Sequence, residues 1–230
     1  TGPAFEGAQI SSGQRAAAGA IERVRINPET LEPRFKVIGS YLWSNQSDFQ
    51  EEIIKFGITG ICGSGIIEVV AEMYLAGVIT VDGIIDGSLT NKTARVIEDG
   101  RTFSYVLHVD ENETNNLQSQ SSILITQNDI RQIQLAKAAL YAGVKLLMDK
   151  LAIEKIDRIR LAGAFGSHIS VRHAMILGLI PDCVLDQVSS AGNAAGTGAR
   201  IALLNQHSRG MIEKLVTEIE KIETAMEPRF

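Results

Sequence analysis

Three stretches of small residues carry the chemistry this sequence can offer. The first is Arg158-Ile159-Arg160-Leu161-Ala162-Gly163-Ala164-Phe165-Gly166, a short apolar run that stops at glycines. The others are Gly60-Ile61-Cys62-Gly63-Ser64-Gly65 and Gly192-Asn193-Ala194-Ala195-Gly196-Thr197-Gly198. A strand that ends in glycine lets a second backbone, or a flat ligand, approach without meeting a Cβ. Each stretch precedes a segment that reads as helix, where free N–H groups and the dipole favour an anion. The expectation is that the three turns face one cleft, and that the cleft holds a nucleotide. For Gly63-Ser64-Gly65, packing of a helix onto a sheet is an equal explanation.

Four further groups could take part. Lys137 falls in an apolar seam of Ile130, Ile133, Leu140, Val144, Leu147 and Leu151. An unpaired buried ammonium is costly, so either the stem snorkels to water or the seam opens there onto a polar ligand. Gln134 lies one turn earlier on nearly the same face, which suits a ligand-facing pair. Glu6, the single charge in a Gly- and Ala-rich segment from Gly2 to Gly7, is a solvated loop acid or a site residue with equal standing. His168 and His173 fall on different sides of a helix with no completing carboxylate or cysteine, so capping or surface roles are expected and no metal site.

The elements that would position these residues follow from periodicity. Strands are expected over 20–26 and 35–38, with turns at Asn27-Pro28 and Glu32-Pro33 between them. A polar loop or short helix start covers 44–52. The run 58–65 leads into a helix whose apolar face is Ile66, Ile67, Val69, Val70, Met73 and Tyr74, stopped at Gly77. Residues 101–109 alternate as a strand after a hairpin turn at Asp99-Gly100. The polar stretch 110–120 reads as exposed insertion. Thr126 with Asp129 makes a capping box that opens a long helix. Beyond the Leu161–Gly166 turn, a short helix over 171–179 ends before Pro181, and 184–188 reads as a strand. The last twenty or so residues form an amphipathic helix through Met211, Leu215, Ile219 and Ile222.

The totals exclude several classes. Net charge is −5 across 230 residues, with no basic run, which disfavours nucleic acid and anionic membrane. No apolar run is long enough to span a bilayer. Cys62 and Cys183 lie far apart without metal-type spacing, so reduced thiols in a cytoplasmic protein are expected, Cys62 as a small buried packing residue. Thr1-Gly2-Pro3 reads as the start of a piece cut from a longer protein.

Taken in order, six motifs are specific together: Gly-Pro-Ala-Phe-Glu-Gly-Ala (2–8), Gly-Ile-Cys-Gly-Ser-Gly (60–65), Thr-Gln-Asn-Asp-Ile (126–130), Gln-Leu-Ala-Lys-Ala-Ala (134–139), Leu-Ala-Gly-Ala-Phe-Gly (161–166) and Gly-Asn-Ala-Ala-Gly-Thr-Gly-Ala (192–199). The series resembles the C-terminal ATPase region of the reductive activators of corrinoid proteins, within the acetate and sugar kinase, heat-shock-70 and actin superfamily. The resemblance runs from Gly2 to about Leu204 and is weak over the insertion and the C-terminal helix. It implies an α/β fold: the second lobe of an actin-like, ribonuclease H-like ATPase, a mixed sheet flanked by helices with a β-rich insertion at about 80–122. The lobe would cover 1–206, and the amphipathic helix 207–230.

Residue by residue, the resemblance sets Gly163, Ala164, Phe165 and Gly166 in the adenosine motif. Gln134 and Lys137 match the helix that covers the other side of the adenosine. Asn193 and Gly196 belong to the connecting helix on which two lobes pivot. Glu6, the one catalytic candidate, and Gly2 would lie near the phosphates, and Gly63, Ser64 and Gly65 belong to the same lobe. ATP or ADP with Mg²⁺ is the implied cofactor. A [2Fe–2S] cluster is implied for an N-terminal domain, because neither an Asp-x-Gly-Thr/Ser phosphate hairpin nor a multi-cysteine run occurs here. Both are expected upstream of Thr1, so the fragment alone is expected to shape an adenosine site with little hydrolysis. The implied partner is a corrinoid protein of a methyltransferase system, and a homodimer is compatible with the pattern. Two alternatives remain: a small-molecule kinase of the same superfamily, and a non-catalytic docking domain for the corrinoid protein.

Overall fold

The strand expected over 20–26 forms as β1 (Ala20–Ile26) and sends Ile21, Val24 and Ile26 into the core. The computed structural model describes residues 3–109 and 122–222. After β1 the chain turns where Asn27 Oδ1 accepts the N–H groups of Glu29 and Thr30 at 2.8 and 3.2 Å. Leu31 sits at φ 61°, a conformation held by its burial and by Tyr105, whose hydroxyl donates to the Leu31 carbonyl at 2.8 Å. The chain returns antiparallel as β2 (Pro33–Val37), and β3 (Gly60–Ile61) pairs parallel on the other side of β1. The sheet is therefore mixed.

β3 covers β1 only beside Ala20 and Ile21. Beyond that point a helix replaces the missing strand. In α2 (Gly63–Leu75), Glu68 and Glu72 accept the backbone N–H groups of Val24 and Ile26, each at 3.0 Å. Helix residues four apart rise about 6 Å and strand residues two apart about 6.7 Å, so the two spacings match. Arg23 and Arg25 of β1 then pair with Glu68 at 3.1 and 2.5 Å.

α1 (Phe49–Ile53) lies in the stretch that reads as loop or helix start. The insertion carries an antiparallel sheet of β4 (Val96–Asp99), β5 (Thr102–His108) and β6 (Ile123–Thr126), with Gly100 at φ 61° in the expected hairpin turn. Tyr105 is fully buried there, and desolvation pushes its phenol well above the ordinary value. The polar stretch 110–120 lies outside the described residues.

α3 (Gln127–Lys150) opens on the expected capping box of Thr126 and Asp129. Asp129 Oδ1 also accepts the Ser11 N–H at 2.8 Å and the Ser11 hydroxyl at 3.1 Å, tying the N-terminal segment to this helix. Asp129→Ala is expected to lower stability by about 1–2 kcal/mol, through the lost half of the capping box and the lost bonds to Ser11, whose exposed N–H can turn to water. Urea unfolding measures this, and a loss under about 0.5 kcal/mol refutes the tie. The apolar seam is covered only at its start. Ile130 and Ile133 are buried, whereas Leu147 and Leu151 are 51% and 67% exposed, and at that end it is Leu146, outside the expected seam, that is buried.

The last sheet is β7 (Ile159–Ala162) parallel to β8 (Val188–Gly192), joined through α4 (Ala164–His168) and α5 (Val171–Ile176). The strand expected over 184–188 is a 3-10 turn at Leu185–Gln187, and β8 begins where it ends. Ser189, Ser190 and Ala191 have weak strand preference, and the ladder to Ile159–Ala162 overrides it. α6 (Ala194–Leu204) and α7 (Gln206–Glu218) follow, the second capped by Asn205. α7 stops at Glu218 with Ile219 extended at its end, so the expected helix does not reach Ile222; residues 223–230 lie outside the described residues, and Met211 and Leu215 are exposed. No helix among the described residues is long and apolar enough to cross a membrane.

Candidate functional site

Two of the glycine bends each touch the β7 turn, but of the three only the β7 turn lines the hollow described below; residues 60–65 and 192–198 do not. The Gly163 N–H donates to the Gly192 carbonyl at 2.8 Å, which joins the β7 turn to the β8 turn. Ser167 and Ser190 hydroxyls join the same two segments at 2.8 Å. The third bend enters through Phe165. A Cβ on Gly63 would lie 2.6 Å from the Phe165 ring and 2.0 Å from the Phe5 carbonyl, so only glycine fits there. The Phe5 and Phe165 rings stand 6.2 Å apart at 38°.

The glycines differ in what they do. Gly163 has φ +96°, yet a Cβ there would meet nothing within 4 Å. Its backbone demands glycine while its open side faces space. Gly166 sits against Leu161, 3.0 Å from where its Cβ would stand. Gly65 is a packing glycine, because a Cβ would lie 2.3 Å from the Ile21 carbonyl of β1. Ser64 is buried with its hydroxyl 3.3 Å from the Cys62 thiol, which itself donates to the Ile21 carbonyl. Cys62 is a buried free thiol, in keeping with a packing residue. Asn193 accepts the Gly196 N–H at 2.9 Å, so this pair caps α6.

A hollow of about 420 Å³ lies against the β7 turn, lined by Phe5, Ile67, Leu161, Gly163, Phe165 and Leu179 among others. Its walls are largely apolar, with Arg160 as a nearby cation and the exposed backbone turn at Gly163–Gly166 as its polar edge. That is the composition of a small-molecule site. Glu6 is exposed and follows Phe5 directly, at the end of the 3-10 turn Pro3–Glu6. Gly2 lies outside the described residues.

Gln134 and Lys137 line a separate hollow of about 170 Å³ with Tyr74, Thr80, Gly83 and Leu177. Gln134 donates to the Asp82 carbonyl at 2.9 Å. Lys137 is exposed and runs beside Gly178, where a Cβ would lie 3.1 Å from its Cε. The two hollows are neighbours. α3 gives Lys137 to one and Leu140, the next turn, to the other, and Ile176–Leu177 and Leu179–Ile180 divide in the same way.

His173 is not a surface residue. It is 2% exposed, with Nδ1 hydrogen-bonded to the Ser170 hydroxyl at 2.6 Å and Nε2 to the Glu72 carboxylate at 2.8 Å. Burial alone would raise the Glu72 carboxyl, but the bonds from His173 and the Ile26 N–H, with the charges of His173 and Arg25, outweigh it and hold it below the usual value. His168 is exposed, and its carbonyl accepts from Arg23 at 2.9 Å. These contacts bind the α4–α5 segment, and with it the hollow, to β1 and α2. Sequence reasoning passed over Glu68 and Glu72, though two acids four apart in an apolar helix carry the same signal as Lys137. No three His, Cys, Asp or Glu side chains gather as a metal site among the described residues.

The comparisons with known proteins agree in kind. A family model described as the C-terminal domain of RACo, the ASKHA domain, matches residues 1–230. The corrinoid activation enzyme RamQ of Eubacterium limosum is 33% identical over 237 residues, covering 100% of this chain and 36% of that protein. A solved reductive activator for corrinoid, iron–sulfur protein superposes with a TM-score of 0.78 at 32% identity, covering 99% of this chain and 33% of that one. The chain thus spans about a third of the length of each of these relatives. With sequence, bends and architecture in accord, this chain is an α/β ASKHA domain and belongs to the family of RACo C-terminal domains.

Proposed function

We propose that this chain is the nucleotide-holding lobe of an ATP-dependent, iron–sulfur reductive activator, which reduces the cobalt(II) corrinoid of a methyltransferase system. Two relatives supply the activity class by name, one a corrinoid activation enzyme and one a reductive activator for a corrinoid, iron–sulfur protein. The observation that carries the nucleotide half is Gly163, held at φ +96° on the rim of the 420 Å³ hollow with nothing where a side chain would stand. An adenosine fits there as a flat group against backbone, with Phe165 and Leu161 along its side. Lys137, from the neighbouring hollow, reaches the ligand's polar edge when the lobes close.

In this reading Mg²⁺ and the [2Fe–2S] cluster are held mainly by residues outside this chain, and a corrinoid protein is the partner. The cluster supplies the electron. The part of these 230 residues is to bind nucleotide and move with it, biasing the complex toward the form in which the cobalt can be reduced.

Calorimetric titration of the intact protein with ADP tests the reading. Gly163→Val is expected to weaken binding at least about tenfold, since it closes the open side and strains the turn. Lys137→Ala removes a charge-assisted contact and is expected to cost roughly tenfold as well. Wild-type affinity in both variants, with unchanged melting temperature, overturns the assignment.

A further inference from the structure

The outward face of the β1–β2 hairpin concentrates cations in a chain whose net charge is −5. In the ladder, Arg23 stands opposite Lys36 and Arg25 opposite Arg34. Like charges directly opposite weaken strand pairing. Glu68 and Glu72 relieve Arg23 and Arg25 from the helix side. They do not reach the second strand. Among the described residues Arg34 has no carboxylate within ion-pair distance, and the Lys36 ammonium donates to the Tyr41 carbonyl at 2.7 Å.

The three cations converge on one ring. The guanidinium carbons of Arg34 and Arg25 lie 5.1 and 5.8 Å from the Trp43 centroid, and the Lys36 ammonium 5.4 Å. Tyr41, two residues before Trp43, is 89% exposed. An open hollow of about 540 Å³ adjoins this face, lined by Arg25, Asn27, Thr30, Arg34 and Asn45. The acids that border it are engaged: Glu72 as described, and Glu32 with Arg95 at 2.7 Å. Tyrosine, tryptophan and arginine are the residue types that dominate binding energy at protein interfaces. A pairing fault relieved by carboxylates on one strand only is the kind of local cost that function retains.

The geometry points to a docking surface on this face for an acidic polypeptide. Partner Asp and Glu carboxylates pair with Arg34 and Lys36, while Tyr41 supplies apolar contact beside them. A small phosphate ligand would leave Tyr41 uncovered. A nucleic acid or anionic bilayer carries its charge well beyond this patch and would meet the acidic remainder of the surface, which a short acidic segment need not reach. This site is separate from the glycine-lined hollow, so it stands or falls independently of nucleotide binding.

Fluorescence anisotropy of a fluorescein-labelled peptide of Asp, Glu and Leu, titrated with the intact protein at low salt, tests the proposal. The peptide is expected to bind, and Arg34→Glu with Lys36→Glu to weaken it about tenfold or more and flatten its salt dependence. Arg34→Glu also places an acid opposite Arg25, so the melting temperature is expected to hold or rise, which separates lost binding from lost folding. Tyr41→Ala is expected to weaken binding without changing the salt dependence. The proposal is overturned if the wild type fails to bind the peptide or if the charge-reversed protein binds it equally. It is overturned too if sodium pyrophosphate or phosphatidylserine vesicles displace the peptide at matched charge concentration.

Discussion

Glu68→Ala is expected to destabilise the fold by about 3 kcal/mol or more. The carboxylate is 1% exposed and holds the Val24 N–H, Arg23 and Arg25 together. Its removal leaves a buried backbone donor without an acceptor, roughly 1–3 kcal/mol by itself. It also leaves two arginines without their shared acid, and losing one partner of a buried pair costs about 3–5 kcal/mol. The arginine side chains are 31% and 37% exposed and partly recover by turning to water, which brings the expected loss below the sum of the two to about 3 kcal/mol or more. Glu68→Gln keeps an acceptor for Val24 and loses only the charge, so about half the effect is expected. Urea denaturation of the three proteins measures the series. A loss below about 1 kcal/mol for the alanine variant would show that α2 does not substitute for a strand beside β1.

Gly65→Ala is the second large effect, and its instructive contrast is Gly143→Ala. A Cβ at position 65 would lie 2.3 Å from the Ile21 carbonyl, which already accepts the Cys62 N–H at 3.0 Å and cannot move freely. The helix must back away from β1, stretching the Glu68 and Glu72 bonds along with it. About 3 kcal/mol is expected, the upper part of the range for overpacking. Gly143 lies inside α3 with nothing within 4 Å of its Cβ position. There alanine should stabilise, by about 0.5–1 kcal/mol, through helix propensity. One substitution type, opposite signs. Calorimetric melting of both variants reads the difference, and equal shifts would refute the packing role of Gly65.

Gly63, Gly65 and Gly163 answer to different constraints. Two make room for backbone inside the lobe, and one leaves an opening at its surface. Binding variants at Gly163 and folding variants at Gly65 should therefore separate cleanly.

Local periodicity was enough for β1, the capping box of Thr126 and Asp129, the glycine stop after α2 and the hairpin at Gly100, because each depends on residues within a few positions of one another. The ordered motifs were enough for the family. The meeting of Gly63 with Phe165 and of Gly163 with Gly192 was an expectation that the packed chain had to decide, since those contacts join segments far apart in sequence. Three things were decided by tertiary structure alone. Ser189–Ala191 became strand because a neighbour ran beside them; His173 went inside because Glu72 and Ser170 occupied both its nitrogens; and in the second half of α3 it is Leu146 that is buried, while Leu147 and Leu151 of the expected seam stay exposed. Side-chain pattern sets what a segment can bury, and only the arrangement of other segments sets what it does bury.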